Sequence, residues 1–383
     1  MDGVVVAKTL FIFLVVAAVF APIMTWVERK QSALMQDRIG ANRADIFGVR
    51  MLGLVHPLAD VIKMLTKEDT MPIGAHRILH TLSPFIAATP AMISFAVIPY
   101  GGSYTIAGHS FSLVVADLDY GALYIFAVAS IATYGTILAG WAGNNNWGLL
   151  GSLRASAQMI SYEVAMGVSV IGIFMIFQSV RLTDIGLAQQ ATFRLFGFVE
   201  HLGWGHPVWI DWVTLPMWGI LLQPLAFFIF LGAIMAENKR APFDLPEAEA
   251  ELVAGYFIEY SGMKFGLYMM AEWIEVVVIS GLVTALFLGG WSIPWLPDAR
   301  LIQILTDFVG PNLGNTMAML LHVGVFMAKL IFLIFFQMLI RWTFPRFRYD
   351  QVMNLGWKIM LPLSLANIVL TAFGVLLLEE LGV

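Results

Sequence analysis

The sequence predicts an all-α integral membrane protein that crosses the bilayer about eight times. Three observations predict this class. Of the 383 residues, 59% are hydrophobic and 12% are charged, whereas about 25% are charged in an average soluble domain. Apolar runs recur along the whole chain without a Ser- or Pro-rich linker, which indicates a single polytopic membrane domain over residues 1–383. Lys and Arg concentrate in alternate connections, as is typical of multi-pass membrane proteins.

Eight apolar stretches are long enough to cross a bilayer, because a hydrocarbon core about 30 Å thick needs about 20 helical residues. We predict spans at residues 4–27, 81–100, 120–142, 158–178, 216–236, 264–288, 317–340 and 357–378. The first run has no basic segment before it and ends in charged residues, unlike a cleaved signal peptide. Interior prolines such as Pro90 and Pro224 are tolerated in membrane helices, since neighbouring helices satisfy the freed carbonyls.

The charge of the connections predicts the orientation. Fourteen Lys and Arg residues lie in the odd-numbered connections and three in the even-numbered ones. Because Lys and Arg mark the cytoplasmic side, we expect the odd connections in the cytoplasm and both termini on the outward side. The formal net charge is −5 and no basic stripe with interleaved aromatic residues occurs. Nucleic acid is therefore not expected as a partner.

Residues 45–67, in the first connection, have an amphipathic pattern. Apolar residues alternate there with Arg50, His56, Asp60 and Lys63. This pattern is typical of a helix that lies in the membrane interface. We therefore predict an interfacial helix on the cytoplasmic side.

The connection at 237–263 is acidic on the side where positive charge is expected. Its ionisable residues are Glu237, Lys239, Arg240, Asp244, Glu247, Glu249, Glu251 and Glu259. In a desolvated cavity, burial and mutual repulsion would raise the pKa values of Glu247, Glu249 and Glu251 toward neutrality, so that they carry protons. An exposed acidic loop without a special role is the alternative.

Ionisable residues also occur inside the predicted spans, where they mark a transport pathway or a paired structural contact. They include Glu163, Glu272, Glu275 and Lys329. Glu272 and Glu275 share one helix face, because they are three residues apart. If Glu259, Glu272 and Glu163 continue the acidic connection, they form a proton path into the membrane. A carboxylate that snorkels to the interface is the alternative for Glu163 and Glu259.

The sequence predicts no redox centre and no catalytic group within this chain. It contains no cysteine, which excludes disulfides, thiolate zinc sites and cysteine-ligated iron-sulfur clusters. We expect no bound metal or cofactor. The end of the first span is rich in charge and donors, with Glu28, Arg29 and Lys30. Such a mouth beside an apolar tunnel suits the two carbonyl acceptors of a quinone head, although charges that only set the topology would have the same pattern.

Five separated motifs follow one another along the chain. They are Glu28-Arg29-Lys30, Gln36-Asp37-Arg38 through Ala41-Asn42-Arg43, His56-Pro57 through Asp60 to Lys63, Gly151-Ser152-Leu153-Arg154 through Tyr162-Glu163, and Ala236-Glu237 through Pro242-Phe243-Asp244 to Glu259-Tyr260-Ser261-Gly262. With these motifs the chain resembles, over nearly its whole length, the H subunit of bacterial respiratory NADH:quinone oxidoreductase, complex I.

The resemblance implies a membrane subunit of a proton-pumping translocase that is not catalytic alone. In this family the subunit lies where the membrane arm meets the hydrophilic arm, and it forms most of the quinone-access tunnel. Quinone is the substrate, while FMN and the iron-sulfur clusters belong to other subunits. The implied partners are the hydrophilic-arm subunits of the quinone site, including the one with the terminal iron-sulfur cluster, neighbouring small membrane subunits, and membrane lipid. The implied location is the bacterial inner membrane, with both termini periplasmic.

The resemblance also implies roles for particular residues. Positions around the quinone cavity and acidic loop are Glu28, Arg29, Arg38, Asp60, Lys63, Arg240, Asp244, Glu247, Glu249 and Glu251. Positions on the path toward the proton-pumping subunits are Glu163, Glu259 and Glu272. A homologous membrane anchor of an energy-converting hydrogenase or ferredoxin-linked complex is the alternative. A secondary transporter is disfavoured, because the 237–263 pattern has no internal repeat.

Overall fold

A computed structural model describes residues 6, 8–10, 19–106, 108–194, 214–246 and 252–381 of the chain. The first predicted span, 4–27, is therefore described only in part. Glu247, Glu249 and Glu251 lie outside the described residues.

The described part of the chain is dominated by α-helices. They are α1 Ala21–Met35, α2 Val55–Thr66, α3 Arg77–Ser94, α4 Gly121–Ala142, α5 Asn146–Phe177, α6 Leu182–Ala188, α7 Gly219–Leu222, α8 Pro224–Glu237, α9 Gly262–Phe287, α10 Asp298–Val309, α11 Pro311–Thr343, α12 Tyr349–Asn354 and α13 Leu361–Leu381. A π-helical segment, Leu355–Met360, joins α12 to α13. Short 3-10 turns occupy Met51–Gly53, Phe95–Val97 and Gly255–Phe257.

Two antiparallel strand pairs lie in the connections of the described part of the chain. Strand β1, Ser103–Ile106, pairs with β2, His109–Ser112, so that Tyr104 lies opposite Phe111. Strand β3, Thr192–Arg194, pairs with β4, Thr214–Pro216. We call the end of the bundle that carries β1 and β2 the hairpin end. The opposite end carries residues 237–246 and 252–261, and we call it the acidic end.

Six helical segments in the described part of the chain are long and apolar enough to cross a membrane. They begin at residues 77, 121, 146, 262, 311 and 349, and six of the eight predicted spans are thereby confirmed. The predicted span 216–236 corresponds to the shorter helices α7 and α8. Pro224 stands at the start of α8 and not inside a helix, so its missing N–H costs the helix nothing.

Two predicted boundaries were wrong. The span predicted at 158–178 begins at Asn146, which places Arg154 inside α5 and not in a connection. The interfacial helix predicted over 45–67 is helical only from Val55 to Thr66. A bridge between Ile46 and Val49 and the 3-10 turn take up the preceding residues. The amphipathic pattern continues through this segment, but Gly48 and Gly53 adopt positive φ there, which an α-helix does not accommodate.

Helix α9 lies at the centre of the bundle. Every residue from 276 to 287 is buried, and these side chains pack with those of α8 and α11 in one hydrophobic core. Small residues let neighbouring helices approach closely. A Cβ added at Gly135 of α4 would lie 2.6 Å from the backbone nitrogen of Ala87 in α3, so glycine is required at that crossing.

Candidate functional site

A cavity of about 360 Å³ opens at the acidic end of the bundle between α1, α2 and the start of α9. One part of its wall is charged and is formed by Glu28, Arg29, Asp60, Lys63 and Lys67. The other part is largely apolar and aromatic and includes Tyr260, Phe265, Met269 and Trp273. The cavity therefore offers polar contacts on one side and an apolar surface on the other.

Helix α2 is held in place beside this cavity by close packing and ion pairs. A Cβ at Gly266 of α9 would lie 2.7 Å from the sulfur of Met64, so α2 packs directly on the α9 backbone. Arg29 Nη1 lies 2.8 Å from Asp60 Oδ2 and joins α1 to α2. Lys264 Nζ lies 2.9 Å from Asp69 Oδ2, just beyond α2. These contacts position Asp60 at the cavity wall.

Glu28 is a buried carboxylate of the cavity wall and is flanked by two arginines. It is 9% exposed. Its Oε1 accepts a hydrogen bond from Arg341 of α11, and its Oε2 lies 3.6 Å from Arg240 Nη1. The Arg240 guanidinium stacks on Trp273, with 3.7 Å between Cζ and the ring centroid, a favourable cation–π geometry. The charges of these two arginines offset the free-energy cost of removing the Glu28 carboxylate from water.

Asp244 forms a second ion pair at the acidic end. Arg346 Nη2 donates to Asp244 Oδ2 at 2.7 Å. Burial raises the pKa of Asp244 above its usual range, although Arg346 and Arg341 lower it, and the charge of Glu272 adds to the rise. Asp244 therefore takes up a proton more readily than an exposed aspartate.

A chain of hydrogen bonds leads from Lys239, the neighbour of Arg240, into α9. Lys239 Nζ donates to Tyr256 Oη at 3.3 Å, and Tyr256 Oη donates to Glu272 Oε1 at 3.1 Å. Lys239 and Glu272 are each 8% exposed. Glu275 follows Glu272 on the same face of α9, because the two are three residues apart. Glu275 interacts electrostatically with Lys239, Glu272 and Arg240.

Glu237 and Glu275 line a second, much smaller cavity of about 30 Å³ inside the bundle. Glu237 is 1% exposed, and neither of its carboxylate oxygens has a hydrogen-bond partner among the described residues. It lies within electrostatic range of Glu275, Glu163 and Lys239. Glu163 accepts a hydrogen bond from Ser130. The cavity is large enough for about one water molecule, which would satisfy the buried oxygens.

Glu259 lies to one side of this row of carboxylates. Its Oε1 accepts from Asn145 Nδ2 at 2.6 Å, and its backbone oxygen lies 3.2 Å from His80 Nε2. His80 stacks on Tyr260 with 4.2 Å between ring centroids. Tyr260 Oη lies 2.9 Å from Ser83 Oγ, and burial raises the pKa of the Tyr260 phenol. Glu259 thus joins α3 to the connection between α4 and α5.

The structure brings together some of the residues predicted for the site and separates others. Glu28, Arg29, Asp60 and Lys63 line one cavity, and Arg240 contacts it through Glu28 and Trp273. Arg38 does not line this cavity. It is exposed and its Nε donates to Gln36 Oε1 at 2.7 Å.

Sequence reasoning missed several members of the site. Arg341 and Lys239 were assigned only to the charge of their connections, and Trp273 and Tyr256 were given no role. The signal for Arg341 was weak, because a basic residue in the last turn of a span is common. Glu237 and Glu275 were recognised as acidic residues, but their common cavity was not predicted. Within the described ranges, no group of three or more His, Asp or Glu residues has an arrangement that holds a metal ion.

The fold and the site define a multi-pass α-helical membrane protein that buries a row of ionisable groups behind a cavity at one end. The NADH dehydrogenase family profile matches residues 7–372. An NADH-quinone oxidoreductase H subunit of Geobacter metallireducens is 45% identical over 367 residues, which cover 96% of this chain and 95% of that protein. An H subunit of the same enzyme from Cytophaga hutchinsonii is 43% identical over 94% of both chains. The H subunit of Bdellovibrio bacteriovorus is 40% identical over 96% of this chain and 94% of its own.

The chain therefore belongs to the H-subunit family of NADH-quinone oxidoreductase, complex I. It is a membrane subunit of a multisubunit enzyme. The predicted family is confirmed, and it is favoured over the hydrogenase anchor and the transporter.

Proposed function

We propose that this subunit forms the quinone-access cavity of complex I and couples quinone reduction to proton translocation. The observation that carries the proposal is that the cavity wall is continuous with a row of buried ionisable groups. The cavity wall at the acidic end contains Glu28, and Glu28 contacts Arg240. From Arg240 and the adjacent Lys239, buried ionisable groups continue into the membrane domain.

The composition of the cavity wall suits a quinone. A quinone has two carbonyl acceptors on its head and an apolar ring and tail. Arg29, Lys63 and Lys67 provide donors on the charged side, whereas Phe265, Met269 and Trp273 provide the apolar side. A few polar groups in a largely apolar cleft fix the orientation of a small ligand. The opening of the cavity between α1, α2 and the start of α9 serves as the lateral entry for quinone from the bilayer.

The buried groups behind the cavity provide the coupling. Reduction of a quinone to a quinol consumes protons and changes the charge near Glu28 and Asp60. The charge of one buried group alters the proton affinity of the next, so the change passes through Lys239 and Tyr256 to the α9 carboxylates. It continues through Glu275 and Glu237 to Glu163. Glu247, Glu249 and Glu251 act at the start of this path, and Glu259 forms a side branch toward α3.

The same proposal includes the orientation and the partners. The acidic end faces the cytoplasm and contacts the hydrophilic arm, including the subunit with the terminal iron-sulfur cluster. Both termini are periplasmic, α2 lies in the membrane interface, and α7 and α8 complete a total of eight spans with the first predicted one. The concentration of Lys and Arg in the odd-numbered connections supports this orientation, since positive charge favours the cytoplasmic side.

The test replaces Asp60 or Glu249 by the neutral amide in the assembled complex. We expect Asp60→Asn and Glu249→Gln to lower NADH:quinone turnover about tenfold, equivalent to about 1.4 kcal/mol in the barrier. NADH oxidation by an artificial acceptor at the hydrophilic arm should be unchanged, because electrons leave before they reach the quinone. Both rates are measured on the same purified complex.

Asp119→Asn is the matched control, since Asp119 is 90% exposed at the hairpin end. It should leave both activities unchanged. Normal quinone turnover in both Asp60→Asn and Glu249→Gln would remove these residues from the mechanism.

A further inference from the structure

A second cluster of ionisable side chains lies at the hairpin end, far from the quinone cavity. It consists of Tyr104 of β1, Asp298 at the start of α10, and His322 and Lys329 of α11. His322 and Arg341 belong to the same helix, and at about 1.5 Å per residue they are separated by about 28 Å along its axis. Since Arg341 contacts Glu28 at the acidic end, the cluster lies near the opposite side of the membrane.

Tyr104 orients the imidazole of His322. The Gly102 N–H donates to Tyr104 Oη at 3.3 Å, and Oη lies 2.5 Å from His322 Nδ1. Burial raises the pKa of the Tyr104 phenol, so the phenol keeps its proton. Nδ1 is therefore held by Tyr104, and the other ring nitrogen of His322, Nε2, is free to exchange a proton.

The Nε2 atom of His322 faces Asp298. The Nε2 and Oδ1 atoms lie 3.4 Å apart, and the exposed fraction of the side chain is 1% for His322 and 14% for Asp298. The other carboxylate oxygen of Asp298 accepts from Trp291 Nε1 at 2.7 Å. His322 is thus enclosed, and Asp298 is the member of the pair that reaches solvent.

Lys329 fixes a positive charge beside this pair. Its ammonium donates to the backbone oxygens of Leu288, Gly290 and Ser292 at 2.7, 3.0 and 2.7 Å. It lies within electrostatic range of both Asp298 and His322. A structural role at the end of α9 explains the three carbonyl contacts. It does not explain a buried His-Asp pair, which is costly inside a membrane protein.

Several buried polar atoms near Lys329 and Asp298 lack hydrogen-bond partners among the described residues. Ser292 Oγ, Trp218 Nε1, Asp298 Oδ1 and His322 Nε2 are buried, and none forms a hydrogen bond among the described residues. A Cβ at Gly289 would lie 2.4 Å from Trp218 Nε1 and 2.6 Å from Ser292 Oγ, so both atoms pack closely against Gly289. Buried polar atoms without protein partners are typically satisfied by water.

Buried polar side chains and backbone groups connect the two ends of the bundle. Asn238 Nδ2, next to Lys239, donates to Gln337 Oε1 at 3.1 Å, and Gln337 Nε2 donates to Ser280 Oγ at 2.9 Å. Thr284 Oγ1 donates to the backbone oxygen of Ser280 at 2.8 Å. The Gly290 N–H in turn donates to the Thr284 oxygen, and the Gly290 oxygen accepts from Lys329. A polar seam therefore runs between α9 and α11 toward the cluster.

We propose that Tyr104, His322, Asp298 and Lys329 form a hydrated proton-release site on the side of the membrane opposite the quinone cavity. Neutral His322, with its own proton on Nδ1, binds at Nε2 a proton that arrives through the membrane domain and becomes an imidazolium. The Nε2–H bond then breaks as an O–H bond forms on Asp298, which regenerates the neutral imidazole, and Asp298 passes the proton to water. The positive charge of Lys329, which three backbone oxygens stabilise, disfavours retention of a second positive charge. Tyr104 is a positioning residue that holds the imidazole. The inference rests on the proposed coupling function.

The test measures protons translocated per NADH oxidised by the intact complex in proteoliposomes. The hydrophilic arm faces the outside, so that the hairpin end faces the lumen. We expect His322→Gln to lower this ratio while quinone turnover with an uncoupler is retained. Tyr104→Phe, which removes a single oxygen atom, should lower it in the same direction. His109→Gln is the matched control, since His109 is exposed on β2 at the same end, and its ratio should equal that of wild type.

The ratio is normalised to electrons, so a lower yield of assembled complex does not change it. A wild-type ratio in both Tyr104→Phe and His322→Gln overturns the proposal, as does an equal fall in His109→Gln. If Asp60→Asn leaves turnover normal but the ratio falls in the hairpin-end variants, the quinone-cavity proposal fails and the release site stands.

Discussion

Gly151 lies where α5 passes closest to the turn that precedes α9. A Cβ at this position would lie 2.8 Å from Gly255 Cα and 3.0 Å from the Tyr256 nitrogen. Both are backbone atoms and cannot rotate away. We expect Gly151→Ala to lower the stability of the assembled complex by about 1–3 kcal/mol and to displace Tyr256 from Glu272. The measurements are thermal unfolding of the purified complex and its quinone turnover.

Gly167→Ala is the control for this prediction. Gly167 belongs to the same helix, but a Cβ added there would meet nothing within 4 Å beyond its chain neighbours and its own helix backbone. The same change of residue type should therefore be tolerated. Equal thermal stability of the two variants would show that the approach of α5 to the turn is looser than the structure indicates.

Single residues also show which parts of the site can be predicted from the sequence. Glu28 was predicted, because a charged triplet at the end of an apolar run stands out. Its partners Arg240 and Arg341 come from distant parts of the chain, and no local pattern indicates that the three side chains meet. Glu272 was predicted for a proton path, but its link through Tyr256 to Lys239 was missed for the same reason.

At the scale of elements, a buried polar contact joins α13 to the start of α8. Asn367 Nδ2 donates to Gln223 Oε1 at 2.7 Å, and Gln223 Nε2 donates to Thr371 Oγ1 at 2.7 Å. We expect Asn367→Ala to destabilise the packing of α13 by about 1 kcal/mol, a typical value for interhelical hydrogen bonds in membranes. Thermal unfolding of the complex in detergent measures this loss.

Asn354→Ala provides the comparison, because Asn354 is exposed at the end of α12. It should unfold at the wild-type temperature. An Asn367→Ala complex that is as stable as Asn354→Ala would mean that Gln223 finds another partner.

Helix limits show why element boundaries were harder to predict than the helices themselves. Helix α5 begins before its apolar segment, because the Asn145 side chain accepts from the Trp147 nitrogen at 2.9 Å and caps the helix. Hydropathy detects only the part of a helix that is apolar. In the 45–54 segment the start of the helix is set by a close approach of two backbone segments. A Cβ at Gly53 would lie 2.0 Å from the Ala41 oxygen.

At the scale of the whole molecule, the absence of cysteine allows a direct test of orientation. Ser110 is exposed at the hairpin end and Thr70 at the acidic end. With both termini periplasmic, Ser110→Cys should react with a membrane-impermeant maleimide in spheroplasts. Thr70→Cys should be protected there, because the reagent cannot cross the bilayer. Labelling is quantified on this chain after it is separated from the complex.

Inside-out vesicles stripped of the hydrophilic arm provide the reverse experiment. Thr70→Cys should then react and Ser110→Cys should be protected. Labelling of Ser110→Cys only in the vesicles would reverse the proposed orientation and place the quinone cavity on the periplasmic side.

Hydropathy and the alternation of basic connections suffice to predict the membrane class and six of the spans, because both properties are local and are averaged over about 20 residues. The five sequence motifs suffice to predict the family. The two ends of the bundle acquire their chemistry only through packing. Arg240 stacks on Trp273, Glu237 and Glu275 share a small cavity, and Tyr104 meets His322. These contacts join residues that are far apart in the chain, so their geometry depends on how the helices pack and not on any nearby pattern.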